Sequence, residues 1–142
     1  MTKHERNARK YERVTTYCAI LEAMPVWYHQ RKFKMHCDGY AKNDNIAIHL
    51  FEVGEGPFCS LTVNIQDLPA EQFALDTNNF PEAEIFCIAN RIAHPTEQIL
   101  TSGFCRYPVY ELEPEIVKCC NKLIQLKEDK KNGSKEDNQE NN

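Results

Sequence analysis

A chain of 142 residues with 42% hydrophobic content is the length of one ordinary domain and can bury a single core. Its net charge of −4 argues against a broad phosphate-binding surface, and no apolar stretch approaches the roughly 20 residues that a membrane-crossing helix requires. The polar opening M-T-K-H-E-R-N-A-R-K has neither the apolar segment nor the cleavage site of a secretion signal. The seven cysteines are odd in number and sit mostly within apolar patterns, so reduced thiols and a cytoplasmic location are expected.

Charge is unevenly spread. Lys3, Arg6, Arg9, Lys10 and Arg13 oppose only Glu5 and Glu12 in residues 1–13, whereas residues 14–126 carry a balance of −6. Any nucleic acid would therefore be held by this N-terminal segment, although such charges more often only solvate a helix face. Tyr11, Val14, Cys18 and Leu21 recur at helical spacing and predict a helix from about His4 to Met24, ended by Pro25. Residues 1–24 are read as a basic amphipathic helix, 25–127 as a single α+β domain, and 128–142 as a disordered polar tail without apolar residues.

Val26, Trp27 and Tyr28 form a connector in which the only tryptophan is expected to pack over the core edge. From Phe33 the period becomes two, and three strands follow: Phe33 to Tyr40, Ile46 to Phe51, and Phe58 to Ile65, with turn chemistry in 42–45 and 54–57. With those loops the meander is antiparallel, Leu50 faces Cys37 and Leu61, and Asp38, His49 and Thr62 form a polar row. Phe73-Ala74-Leu75 reads as a short edge strand. Asp76-Thr77-Asn78-Asn79 reads as a turn and cap opening a helix from Pro81 to Ile92, with Ile85, Ile88, Ala89 and Ile92 inward and His94-Pro95 at its end.

Ile99 to Phe104 reads as a loop or short strand closing in a tight turn, with Phe104 folded back on the core. Cys105 to Leu112 is a further strand, its Pro108 marking an edge or bulge. Ile116, Cys120, Leu123 and Ile124 predict a last helix from Pro114 to about Lys127.

Chemistry-bearing combinations are sparse. His36 and His49 alternate to one strand face and Cys37 and Cys59 to the other, so one zinc ion cannot use all four, and Cys119-Cys120 lacks a two-residue spacer. Cys105 with His94 or His49 is the only formal nucleophile and base, without an activating motif. No metal, cofactor or catalytic residue is expected. Tyr107 and Tyr110 offer an aromatic patch for a partner.

The ordered string L-T-V-N at 61–64, D-T-N-N at 76–79, Pro95-Thr96, and S-G-F-C-x-Y-P-x-Y at 102–110, preceded by N-I-A-I-H-L, resembles a bacterial family known only as domain of unknown function 4313. The resemblance covers about residues 40–113. The chain departs from it at Ala70-Glu71-Gln72-Phe73, where many relatives carry glycine and acidic residues. It implies a small accessory protein of a plasmid, conjugative element or phage, and no established activity. The expected fold is α+β, an antiparallel meander of three strands with short extra strands and about three helices. The expected role is non-enzymatic binding to a host or element-encoded protein, one form being inhibition of a host defence nuclease. Asp76, Asn78, Asn79, Phe104, Tyr107 and Tyr110 are the expected partner-binding residues. The alternative is a nucleic-acid-binding factor using Lys3, Arg6, Arg9, Lys10 and Arg13.

Overall fold

Alternating apolar and polar side chains build two four-stranded antiparallel sheets, and three helices complete an α+β fold in the computed structural model. The structure describes residues 3–140, with side chains from 8 to 133. The first sheet runs in chain order through β1 (Val26–Tyr28), β2 (Arg31–Gly39), β3 (Ile46–Glu52) and β4 (Gly56–Ser60). The second contains β5 (Thr62–Val63), β6 (Gln72–Leu75), β7 (Ala93–Ser102) and β8 (Cys105–Leu112), in the order β5-β6-β8-β7. The helices are α1 (Lys3–Ala23), α2 (Ala83–Ala89) and α3 (Pro114–Glu140).

The predicted meander forms, with its register shifted. Leu50 faces Met35 and Cys59, and His49 faces His36 and Ser60. The Tyr40 N–H donates to the Asn45 carbonyl at 2.8 Å, so the loop occupies 41–44, one residue earlier than expected. That displacement moves each β2–β3 partner by two residues and leaves the faces unchanged, so Phe33, Met35, Ile48 and Leu50 are inward as expected although their partners differ. Ala47, expected outward, is buried as well. The polar row consequently does not form. Asp38 lies opposite Ala47, while Thr62 is buried and accepts the Ile48 N–H at 3.1 Å.

The expected third strand is two strands in different sheets. At its break, buried Leu61 donates its N–H to the Ile48 carbonyl at 2.8 Å and accepts the Asp76 N–H at 3.0 Å. Phe73 to Leu75 is interior, because β6 lies between β5 and β8. Pro108 also sits in an interior strand, opposite Ile99, where a register shift between Pro95 and Ile99 accommodates it.

Both sheets share one core. Val14, Tyr17, Cys18 and Leu21 from α1, Phe33, Met35, Ile48 and Leu50 from the first sheet, Phe73, Leu75 and Tyr110 from the second, and Ile116 and Cys120 from α3 all join it. Tyr11, expected inward, is exposed, and Tyr17 is buried in its stead. A smaller cluster of Leu68, Ala74, Leu100, Tyr107 and Val109 covers the other face of the second sheet.

Two helices depart from expectation. Arg91, in left-handed backbone at φ 55°, stops the chain soon after α2, and residues 93–95 then enter β7 instead of ending a helix. The buried side of α2 is Ala83, Phe86 and Cys87, so Ile85 and Ile88 face solvent. Two apolar stripes competed for the core, and the one carrying the larger aromatic was buried. Helix α3 continues past Lys127 to Glu140, helped in its exposed part by a Gln125 to Asp129 hydrogen bond of 2.9 Å one turn apart. Residues 141–142 lie outside the described residues.

Candidate functional site

His29 and Gln30 form the two-residue loop between β1 and β2, with Tyr28 paired to Arg31 across it. Both loop residues have positive φ, 50° and 66°, a conformation that suits hairpin twist and normally takes asparagine or glycine. The tight turn fixes the direction of Tyr28, which points inward while its neighbour Trp27 points out.

Tyr28 enters a set of edge-on rings. Its centroid lies 5.3 Å from Phe80 and 6.0 Å from Phe33, and Phe58 lies 5.2 Å from Phe33 and 5.8 Å from Phe80. Phe58 reaches this set because the β3 to β4 ladder skips a residue: Leu50 pairs with Cys59 and Phe51 with Pro57, leaving Phe58 as the extra residue of a bulge. The rings leave a cleft of about 310 Å³ lined by Tyr28, His29, Arg31, Phe33, Glu52 and Phe58.

One carboxylate, Glu52, lines it, and a second, Glu82, is bonded to two of its lining residues. The Tyr28 hydroxyl donates to Glu82 Oε2 at 2.5 Å, and His29 Nε2 lies 3.2 Å from the same oxygen. The Tyr28 bond holds the Glu82 carboxyl below its ordinary range, with His29 adding to the effect, and it pushes the Tyr28 phenol up to about 12. Glu52, with only 17% of its side chain exposed, accepts from Arg31 at 3.3 Å.

Beside the cleft, Asn90 binds the Trp27 backbone, which brings the end of α2 to β1. Trp27, expected to pack over the core edge, is 53% exposed; Ile85 and Ile88 are 67% and 55% exposed.

The sequence-predicted residues do not form one site. Asp76 is buried and bonds the Asn79 N–H at 3.3 Å and the Asn79 side-chain amide at 2.9 Å, so it organises a turn. Asn78 and Asn79 are exposed. Tyr110 is a core residue whose hydroxyl donates to Glu84 at 2.9 Å, and Tyr107 is buried in the smaller cluster. Phe104 stands fully exposed at the β7–β8 tip, where Gly103 at φ 60° turns the chain, and does not fold back on the core. Cys105 and His94 occupy opposite ends of that hairpin, and His94 sits between Glu111 at 3.6 Å and Glu113 at 3.5 Å.

Of the basic residues, Lys10 donates to Asn45 at 2.8 Å and Asp67 at 2.5 Å, and Arg13 donates to Asn121 at 2.9 Å and Tyr17 at 2.8 Å. Arg9 is exposed, and the side chains of Lys3 and Arg6 fall outside the described residues. His36, His49, Cys37 and Cys59 keep the alternation expected of them, and no group of three or more metal-ligating side chains converges among the described residues. No helix among the described residues is long and apolar enough to cross a membrane.

The aromatic cleft was not anticipated. Its one sequence signal is the aromatic density of 27–33 and 80–86, and joining those segments requires knowledge of their long-range pairing.

Fold and cleft define a small two-sheet α+β domain that carries an aromatic recess lined by the Glu52 carboxylate. The chain belongs to the family described as Domain of unknown function (DUF4313), which matches residues 34–133. No curated protein and no solved structure matches it. The matched region begins inside β2, so α1 and β1, which supply core residues and Tyr28, precede it.

Proposed function

We propose that this is a non-enzymatic protein that acts by binding another protein through the surface formed by Trp27 and the outer face of α2. The carrying observation is that Ile85 and Ile88 stand exposed on one side of a helix anchored to an equally exposed Trp27. Large apolar side chains grouped this way cost solubility, and their common use is to be covered by a partner, with tryptophan favoured as the anchor. The setting we infer from the family resemblance is a mobile genetic element, and blocking a host defence nuclease is one form that such binding takes. Engagement of Lys10 and Arg13 within the fold argues against their use on nucleic-acid phosphates.

The test is affinity purification from a bacterial lysate with nuclease treatment, comparing the natural chain with an Ile85→Ser, Ile88→Ser variant. A stoichiometric protein that survives nuclease and is lost with the variant supports the reading. Recovery of nucleic acid, with every protein lost on nuclease treatment, overturns it.

A further inference from the structure

The cleft beside that surface already holds a guanidinium. Arg31 Nη1 lies 3.3 Å from Glu52 Oε1, yet 69% of the Arg31 side chain is exposed while only 17% of the Glu52 side chain is. A largely enclosed carboxylate is thus served by a long, solvent-facing side chain. An exposed partner of this kind is held weakly and exchanges readily with an incoming group of the same chemistry.

The walls suit that chemistry. Tyr28 and Phe58 present aromatic surface beside buried Phe33, and a planar guanidinium stacks on such rings while its N–H groups reach a carboxylate. Charge is complementary, since the Glu52 carboxylate lines the cleft against the cation Arg31 within a body of net charge −6 over residues 14–126. At about 310 Å³ the recess is at the lower end of the roughly 300–1,000 Å³ of ligand sites, a size for one side chain and not for a nucleotide cofactor.

We propose that this cleft is a seat for an arginine side chain of a protein partner, which displaces Arg31 from Glu52 and stacks against Phe58 and Tyr28. This deepens the function proposed above and rests on it for the existence of the partner. Arg31 then serves as an internal occupant that keeps Glu52 satisfied until the partner arrives.

The experiment is an amide chemical-shift titration of the full chain with N-acetyl-arginine methylamide, using the lysine and the uncharged citrulline analogues as comparators. The expected result is shifts centred on Tyr28, His29 and Phe58 with the arginine probe, weaker ones with lysine, and none with citrulline. Removing the competitor by Arg31→Ala tightens arginine binding several-fold. Glu52→Gln weakens it about 10-fold, the size expected for losing a charge-assisted hydrogen bond. Because Arg31 is exposed, Arg31→Ala leaves folding intact, and it carries the decision. If the arginine probe moves no amides near the cleft in that variant, or citrulline moves them equally, the proposal is overturned.

The two readings fail separately. Probe binding by Arg31→Ala, combined with unchanged lysate capture by the α2 variant, keeps the arginine seat and removes the function proposed above. Capture lost with the α2 variant, without any probe binding, does the reverse.

Discussion

Asn90 grips Trp27 at both backbone positions: its side-chain carbonyl accepts the Trp27 N–H at 2.9 Å, and its side-chain amide donates to the Trp27 carbonyl at 2.9 Å. A single amide thereby imitates a neighbouring strand at the edge of the first sheet, where β1 has no further strand partner among the described residues. The same amide also donates to the Phe86 carbonyl at 3.0 Å, capping α2. Asn90→Ala should cost about 1 to 3 kcal/mol, from two or three partly exposed hydrogen bonds. Asn90→Asp, which keeps only the acceptor, should be no better. Urea unfolding of the two variants checks both expectations.

Asn45 should be less replaceable still. It is buried, accepts from Lys10 at 2.8 Å and from the Leu68 N–H at 3.1 Å, and donates to Asn64 at 2.9 Å and the Gln66 carbonyl at 2.7 Å. Helix α1, the β2–β3 loop and the segment after β5 all meet on this one amide. Asn45→Ala leaves several polar groups unpartnered and should cost about 2 to 4 kcal/mol. Asn45→Asp offers no donor to two acceptors and should rescue little. Thermal unfolding followed by circular dichroism measures the difference.

Alkaline pH should weaken the fold through groups that resist losing a proton. Burial pushes Tyr17 up to about 12 against the opposing pull of Arg13, and burial likewise pushes Cys59 up to about 11. A neutral form favoured by folding contributes fully below the unfolded pKa and is lost as pH rises through the folded one. The urea midpoint should therefore hold steady to about pH 8.5 and fall between about pH 9 and pH 12. Tyr17 accounts for about 2 to 3 kcal/mol of that decline, two pKa units' worth. Tyr17→Phe should flatten the curve above about pH 10 while leaving the cysteine-driven fall below it.

The β1–β2 loop should respond in the opposite sense to most substitutions. Gln30 holds φ at 66° with a full side chain, so Gln30→Gly relieves a left-handed strain of about 1 kcal/mol and should stabilise the protein by up to that amount. Gln30→Val, a β-branched residue in the same conformation, should destabilise it. Denaturation midpoints that rank Gly above Gln above Val bear this out, and the reverse order refutes it.

Local alternation was readable in the sequence because it needs only neighbouring residues: Phe33, Met35 and Leu50 point inward as their spacing dictates. Pairing was not readable to the same depth. Placing the loop at 42–45 and not 41–44 moved the partner of Leu50 from Met35 to Cys37, an error that no face-matching argument can detect. In α2 the periodicity offered Ile85 and Ile88 as well as Phe86 and Cys87, and only the tertiary setting of Phe80 and Tyr28 decides between them. The cleft shares this limit. Its rings come from three segments, and Phe58 joins them only through a bulge that leaves no composition signal. Asn45 looked like an ordinary turn residue because its partners lie about twenty residues or more away in sequence.

Leu61 commits its N–H to one sheet and its carbonyl to the other. Severing the chain there would leave each half with a raw edge and a share of a core that neither can close. The two sheets therefore cannot be divided into autonomous modules: shuffled, transplanted or truncated, they travel together or do not persist, and a hydrogen-exchange experiment should find the Leu61 amide opening only when the whole chain does.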